Sequence, residues 1–245
     1  MDRRQFLRTA AAGSLSLAFG PTFWRSAYAA PATIGPGPYG SLADRAPDAN
    51  GIILPAGFTS RVIATSGVAL GASGYVWHGD PDGGAVFPAD DGGWVYASNC
   101  EERLNPVGGG AAAIRFDQHG EVVDAYRILD GTYTNCAGGP TPWGTWLSCE
   151  EHPLGQVWEC DPFRPGQGVA RPAMGRFWHE AVTVDDANGT LYLTEDNQRD
   201  GRFYRFTPAS YPDLSAGVLE AAAEAADGSV TWVPVPLADT KPVDP

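Results

Sequence analysis

One segment of the chain recurs three times, and this repetition constrains the fold more than any other feature. Each copy begins with glycine, continues through a short aromatic or aliphatic run and a serine or threonine, and ends in acidic residues. The copies read GGWVYASNCEE, GTWLSCEE and GTLYLTEDN, and their hydroxyl residues Ser98, Ser148 and Thr194 are spaced by 50 and 46 positions. Short apolar runs bounded by turn-forming residues are typical of β-strands. The chain therefore contains a repeated β-unit.

A second strand-like run follows each copy, over residues 113–117, 157–161 and 203–207. Its markers Ile114, Val157 and Phe203 are spaced by 43 and 46 positions. Two strand markers that recur together at about 40–50 residues predict the blades of a β-propeller. We expect an all-β protein with about three consecutive four-stranded antiparallel blades over Gly51–Pro208. A β-sandwich is the second-ranked alternative, because it gives turn signals without such long-range self-similarity.

Local patterns predict three further features. Gly138–Gly139 predicts a tight turn that carries the preceding Cys136, since glycine permits close approach of the backbone to an ion or ligand. Trp143–Leu147 predicts a short buried strand. The stretch Ala216–Ala226, rich in Ala, Glu and Leu, predicts a helix inserted between strands.

The repeat also predicts where the acidic residues meet. Equivalent strand ends of a propeller converge on one mouth of its channel, so the acids that end the three copies would lie together. These acids are Glu101, Glu102, Glu150, Glu151, Glu195 and Asp196. Like charges raise one another's pKa, and a bound cation relieves the repulsion. The alternative is that they point into water from separate loops. Candidates upstream of the acidic strands are His78, Cys136 and the pair His179–Glu180.

The amino terminus has the pattern of an export signal. Arg3–Arg4 precedes a mild apolar stretch, and Ala27-Tyr28-Ala29 fits a small-x-small cleavage site. The apolar stretch is far shorter than the ~20 residues that span a membrane, so stable membrane insertion is not expected. We therefore predict a twin-arginine signal peptide over residues 1–30, an extended linker over 31–50 and a partial propeller over 51–245. The expected partner is the twin-arginine export machinery, and the destination is the periplasm or the cell exterior.

Charge and cysteine content narrow the function classes. The protein is strongly acidic, with a formal net charge of −13. Because proteins bind nucleic acids and anionic membranes through basic patches, neither is an expected partner. Carboxylates are the ligands that hard cations such as calcium prefer. Four cysteines in an exported chain permit disulfides. Cys149 and Cys160 flank a predicted hairpin and could pair, while the state of Cys100 is left open. No serine-nucleophile elbow or P-loop occurs in the sequence.

The longest motif, NCAGGPTPWGTWLSCEE, followed by GRFWHEAVTVD and YLTEDN, resembles the PhoX-type alkaline phosphatases, a family of exported bacterial proteins. The resemblance covers about Gly51–Pro208 and is to a short exported branch of the family. It implies a six-bladed propeller whose channel holds a ferric pair and calcium ions that hydrolyse phosphate monoesters. At the observed spacing the chain has room for three to four blades, so we expect a sequence truncated at its C-terminus.

The resemblance also implies roles for individual residues. The cysteine that bridges the two irons corresponds to Cys136. The iron ligands correspond to Glu180 and Asp196. Glu150 or Glu151 is implied as a calcium ligand, and the N-x-E segment implies Asn99 as a phosphate contact and Glu101 as a metal neighbour. These residues are the expected catalytic and metal-binding set, with Fe3+ and Ca2+ as cofactors and small phosphorylated molecules as substrates.

The chain departs from the family pattern at two places. The family carries a phosphate-contacting lysine shortly before the cysteine, and here the residues Arg127–Asp130 contain none. A late arginine and glutamate of the family also have no counterpart. Two functions follow from the sequence. One is a metal-dependent phosphomonoesterase, favoured by Cys136, Glu180 and Asp196; the other is a non-catalytic propeller that binds calcium or a partner, favoured by the missing lysine.

Overall fold

The structure is a computed structural model that describes residues 39–103, 108–166 and 168–236. The predicted signal peptide lies outside the described residues, as does the first part of the predicted linker. The chain divides between Val62 and Ile63 into two units. The described residues form no helix with the length and hydrophobicity of a membrane span.

The described part of the first unit, residues 39–62, contains turns and no helix or strand. Asp48 organises it: its carboxylate accepts hydrogen bonds from the backbone N–H groups of Asn50 at 2.9 Å and Ile52 at 3.0 Å, and from the Ser60 hydroxyl at 2.5 Å. Tyr39 packs edge-on against Phe58, with ring centroids 5.3 Å apart.

The second unit contains three antiparallel sheets, each formed by consecutive strands. The first sheet comprises β1 (Pro81–Pro88), β2 (Trp94–Cys100), β3 (Gly110–Phe116) and β4 (Val122–Leu129). The second comprises β5 (Asn135–Pro140), β6 (Trp146–Glu150), β7 (Val157–Cys160) and β8 (Val169–Ala170). The third comprises β9 (His179–Asp185), β10 (Thr190–Glu195), β11 (Phe203–Ser210), β12 (Asp213–Glu224) and β13 (Val230–Pro234). Within the described ranges the helices are two short 3₁₀ turns, Gly71–Ser73 and Pro172–Met174. The all-β prediction is confirmed.

The repeated sequence segments form the second strands of the three sheets, β2, β6 and β10, and the runs that follow form β3, β7 and β11. The third copy is nevertheless one residue out of phase. Ser98 and Ser148 are fully buried, whereas Thr194 is exposed. Because successive strand residues point to opposite faces, Leu193 rather than Thr194 holds the position equivalent to the two serines.

Three apolar clusters form the core. The segment before β1, with Trp77, packs on one face of the first sheet around Ile114. The first and second sheets share a second cluster in which Val95 and Ile128 meet Trp146. The second and third sheets share the third cluster, in which Leu147 and Val157 of the second sheet meet Leu191, Leu193 and Phe206 of the third. The second sheet is therefore covered by apolar side chains on both faces.

Two local predictions were wrong. Residues 216–226 are not helical, because β12 covers most of them and pairs with both β11 and β13. The helix propensities of Ala, Glu and Leu are weak priors that strand pairing on both sides overrides. The predicted buried strand near Trp143 begins later, at Trp146, since residues 142–144 form the turn between β5 and β6.

The predicted glycine turn after Cys136 is also wrong, since Gly138 and Gly139 lie inside β5. Neither has a positive φ. Their lack of a side chain serves close packing instead: a Cβ on Gly138 would lie 1.9 Å from the Leu147 carbonyl oxygen, and one on Gly139 would lie 1.9 Å from that of Val182. These glycines let neighbouring strands approach β5.

All four cysteines are buried and free. Cys149 is paired in register with Val157, and Cys160 with Trp146, so the two thiols lie at opposite ends of the β6–β7 ladder. The disulfide that the hairpin permitted is therefore not formed.

Candidate metal centre

Each sheet carries a β-bulge at the same place, where its first strand pairs with the end of its second strand. In each case two residues of the first strand oppose one residue of the second. The bulged pairs are Asp82–Gly83 on β1, Cys136–Ala137 on β5 and Glu180–Ala181 on β9. A bulge redirects side chains that a regular strand would point elsewhere, and bulges are frequent beside functional sites.

The first residues of these three bulges meet. Ligand atoms of Asp82, Glu101 and Cys136 all lie within 4.8 Å of one another, and so do those of Cys136, Glu151 and Glu180. The thiol of Cys136 belongs to both groups. One sulfur atom thus joins two adjacent sets of potential metal ligands.

The second strands supply acids at equivalent positions. In each sheet, one residue of the second strand pairs with the residue that precedes the bulge. The next residue along the second strand is an acid in all three sheets: Glu101, Glu151 and Asp196. Asp196 adds to the electrostatic repulsion on both Glu151 and Glu180, although it belongs to neither of the two ligand groups. We call these six residues the Cys136 cluster: Asp82, Glu101, Cys136, Glu151, Glu180 and Asp196.

The electrostatics of the Cys136 cluster favour a bound cation. Burial raises the pKa of the Cys136 thiol far above its usual range, and the charges of Glu180 and Asp82 raise it further. The thiol lies 3.5 Å from Glu180 Oε1 and is only 7% exposed. Burial also raises the pKa of Glu151 and that of Glu180, and neighbouring carboxylates add to both shifts, although hydrogen bonds from Cys136 oppose them. A cation would favour the ionised forms of all three groups together.

Two acids that the sequence placed with this group point elsewhere. The Glu150 carboxylate accepts hydrogen bonds from the backbone N–H of Tyr133 at 3.1 Å, the backbone N–H of Gln156 at 3.0 Å and the indole N–H of Trp158 at 2.9 Å. Glu195 accepts a 2.8 Å hydrogen bond from the Tyr204 hydroxyl. Each precedes a cluster acid, and adjacent strand residues face opposite ways.

Glu102 also lies apart from the cluster geometry, with its carboxylate packed against Gly79. His78 and His179 are buried, and burial lowers the pKa of His78 to about 4 and that of His179 to about 3. Each ring contacts a backbone carbonyl oxygen, that of Asn99 at 2.9 Å for His78 and that of Gly175 at 3.3 Å for His179. Both are buried and neutral at neutral pH, His78 in the segment before β1 and His179 at the start of β9.

Asn99 is fully buried beneath Cys136, and its side-chain amide makes four hydrogen bonds to protein groups. Its Nδ2 donates to the carbonyl oxygens of Cys136 at 2.9 Å and Ala137 at 2.7 Å. Its Oδ1 accepts from the Trp146 indole and the Ser148 hydroxyl, both at 2.8 Å. Two donors and two acceptor positions are the full capacity of an amide side chain.

Positive charge near the cluster comes from Arg103, whose guanidinium lies 3.2 Å from Glu101 Oε1 and is 67% exposed. Arg127 lies in the segment that corresponds to the lysine of the PhoX-type pattern, and its guanidinium is bonded within the protein: its Nε donates to Asp130 at 2.8 Å and its Nη2 to the Gly109 carbonyl oxygen.

Sequence reasoning missed Asp82. Cys136 and Glu180 drew attention through their motifs, whereas Asp82 sits in an inconspicuous PDGG segment. Its signal was available in the repeat: Asp82 precedes the Gly92–Gly93 start of its copy much as Cys136 precedes Gly144 and Glu180 precedes Gly189. The equivalence depends on the three bulges, which the sequence does not reveal.

Comparison with known proteins agrees with these features. A family model described as alkaline phosphatase PhoX matches residues 94–155 and 152–244. No curated protein and no solved structure matches the chain significantly. The matched segments include β2–β13 and every member of the Cys136 cluster except Asp82.

Proposed function

The chain belongs to the PhoX alkaline phosphatase family, and from that membership we propose that it is an exported, metal-dependent phosphatase that hydrolyses phosphate monoesters. The observation that carries this proposal is the Cys136 cluster, in which three sheets direct their bulge residues at one shared thiol. A coincidence of surface acids would not require three equivalent backbone irregularities.

The donor set fits the metals that we propose. Carboxylate oxygens suit hard cations such as calcium, and a thiolate together with carboxylates suits iron. Cys136 would bridge two ferric ions, because it is the member common to both ligand groups. Glu180 and Asp196 would bind iron. Glu151, rather than Glu150, would bind calcium, since the oxygens of Glu150 already accept three hydrogen bonds. Glu101 would be a metal neighbour in the other ligand group. Asp82 would complete the group around Glu101.

Metal ions of this kind would neutralise the charge of a phosphate monoester and activate an oxygen nucleophile. The chain's own residues contribute placement. The bulges hold the ligands at fixed separations, and the buried amide of Asn99 fixes the backbone beneath Cys136. Arg103, exposed beside Glu101, would attract the phosphate dianion to the ligand cluster.

We extend the proposal to the architecture and domain layout. The three consecutive sheets would be successive blades of a six-bladed β-propeller, with the Cys136 cluster at the mouth of its channel. Residues 1–30 would be a twin-arginine signal peptide, 31–50 a linker and 51–245 part of the propeller. The twin-arginine machinery would deliver the protein to the periplasm or the exterior. Support comes from the 43–50-residue repeat and the shared cores between neighbouring sheets.

A second candidate function is a non-catalytic protein that binds calcium or a partner at the same cluster. One observation favours it: Arg127, the cation nearest in sequence to the missing lysine, is bound to Asp130 and Gly109. Because its guanidinium is already bound, Arg127 would not replace the phosphate contact that the lysine makes.

Elemental analysis and phosphatase assays on one preparation of the full-length protein separate these functions. We expect iron and calcium in stoichiometric amounts and hydrolysis of p-nitrophenyl phosphate. Chelation should abolish hydrolysis, and restoring both metals should recover it. Calcium without iron, and no hydrolysis at any metal composition, would instead establish the binding protein.

A further inference from the structure

We propose that Asn99, Ser148 and Asn135 form a buried hydrogen-bonded clamp that fixes the backbone of Cys136. Asn99 is then a positioning residue for the metal-binding thiolate and not a phosphate contact. The inference deepens the proposed function and rests on it.

At the Cys136 bulge, backbone carbonyl groups lie outside the regular strand ladder. Cys136 and Ala137 together oppose the single residue Cys149, so the regular ladder between β5 and β6 is interrupted there. Buried carbonyl groups outside a ladder need other donors. The two N–H groups of Asn99 supply them, one to each carbonyl, from the neighbouring sheet.

The clamp continues behind Asn99. Ser148 donates its hydroxyl proton to Asn99 Oδ1 at 2.8 Å and accepts a 2.9 Å hydrogen bond from Asn135 Nδ2. Asn135 Oδ1 accepts from the Gly110 backbone N–H at 2.6 Å and from the Thr132 hydroxyl at 2.7 Å. This chain of hydrogen bonds therefore connects Asn135, the residue before Cys136, to the side-chain amide of Asn99.

Burial makes the network rigid. Asn99, Ser148 and Asn135 are each 0% exposed, so water does not compete for their bonds. Fully satisfied buried networks specify a single local conformation. Because Asn99 has no hydrogen-bonding capacity left, a phosphate contact would require it to release Cys136, Ala137, Trp146 or Ser148.

The clamp is specific to the bulge that carries the thiol. Cys149 holds the position on β6 that Asn99 holds on β2, opposite the bulge of its own sheet. It packs in the apolar cluster with Val182 of β9 and offers no amide to the Glu180 bulge. Only the Cys136 bulge, among those described, is held from the next sheet by a side chain with two donors.

The test compares two buried serines at equivalent positions. Ser148→Ala breaks the clamp, whereas Ser98→Ala removes an equally buried hydroxyl whose contacts are the His78 ring and the Asn99 carbonyl oxygen. Loss of a residue that orients a metal ligand weakens metal affinity by about 10- to 100-fold. We expect that loss of iron affinity for Ser148→Ala, measured by chelator competition, and less than about threefold for Ser98→Ala.

A second readout reports the thiolate directly. In the iron-loaded protein, the thiolate-to-iron absorption band should shift or broaden in Ser148→Ala and stay unchanged in Ser98→Ala. Equal iron affinity and an unchanged band in both variants would overturn the clamp while leaving the proposed function intact. A wild-type protein that binds no iron would overturn the proposed function itself.

Asn99→Asp separates positioning from substrate contact, because aspartate keeps the shape but cannot donate to the two carbonyls. A positioning role predicts loss of iron and lower kcat, with KM unchanged for the molecules that retain iron. A direct phosphate contact predicts full iron content and a raised KM, which would contradict the proposal. Should Asn99→Asp fail to fold, the serine pair decides the question alone.

Discussion

The adjacent acids Glu150 and Glu151 should respond to substitution in opposite ways, although the sequence alone treats them as a pair. Glu150→Ala leaves three donors without an acceptor: the backbone N–H groups of Tyr133 and Gln156, and the Trp158 indole. At about 1–2 kcal/mol for each unpaired donor, the free energy of unfolding falls by about 3–6 kcal/mol. For a chain of this size that corresponds to a melting temperature lower by about 10 °C or more.

Glu151→Gln should not destabilise the metal-free protein. Burial and the carboxylates around it raise the pKa of Glu151 above its usual value, so its ionised form opposes folding at pH 7. A neutral glutamine of the same shape removes that cost. We expect an unchanged or higher melting temperature without metal, together with weaker calcium binding.

Urea and thermal unfolding of the chelator-treated variants, followed by calcium titration, measures both effects. Glu150→Ala should keep the calcium affinity of whatever fraction remains folded. A stable Glu150→Ala protein that has lost calcium, or a Glu151→Gln protein destabilised by several kcal/mol, would refute the assignment of Glu150 to the fold and Glu151 to the metal.

Three further predictions concern charge and packing. The pKa of Glu180 is raised by burial and by Asp196 and Asp82, so the contribution of Glu180 to metal-free stability is full below pH 4.5 and is lost as the pH rises through the raised pKa. The melting temperature of Glu180→Gln should therefore increase relative to wild type as the pH rises towards 7. A difference in melting temperature that does not change with pH would count against this. Gly138→Ala places a methyl group against the Leu147 carbonyl and should lower the free energy of unfolding by about 3 kcal/mol or more. Gly144 has a φ of +86° and open space around it, so Gly144→Ala should lower the free energy of unfolding by only about 1 kcal/mol, as measured by urea denaturation. Arg103→Gln should raise KM for p-nitrophenyl phosphate more than it lowers kcat, and an unchanged KM would remove Arg103 from substrate attraction.

The repeated strands could be predicted because they depend on a signal that is written directly in the sequence, whereas the fifth strand of the third sheet was not predicted. Aromatic and aliphatic runs between glycines recur with constant spacing, and those runs became β2, β6 and β10. The helix predicted over residues 216–226 was wrong because these residues favour a helix in isolation, whereas in the sheet they pair with strands on both sides.

The candidate site was less predictable, because bulges shift the phase of a strand by one residue. Composition cannot reveal that Thr194 is out of step with Ser98 and Ser148, or that Asp82 matches Cys136 and Glu180. Nor can it tell which of two neighbouring glutamates faces the ligands, since that depends on the side of the pleat each occupies. Cys136 and Glu180 were identified through their motifs, whereas their proximity depends on the packing of the second sheet against the third.

The role of Cys136 as a shared metal ligand is the central claim, and Cys136→Ser tests it against Cys149→Ser. Both thiols are buried in the second sheet, but Cys149 packs in the apolar cluster and lies in neither ligand group. Iron content and hydrolysis of p-nitrophenyl phosphate should be measured on the same preparations of the full-length protein. We predict that Cys136→Ser loses both while its melting temperature without metal is preserved, and that Cys149→Ser retains both. Full iron content and full activity in Cys136→Ser would contradict the account.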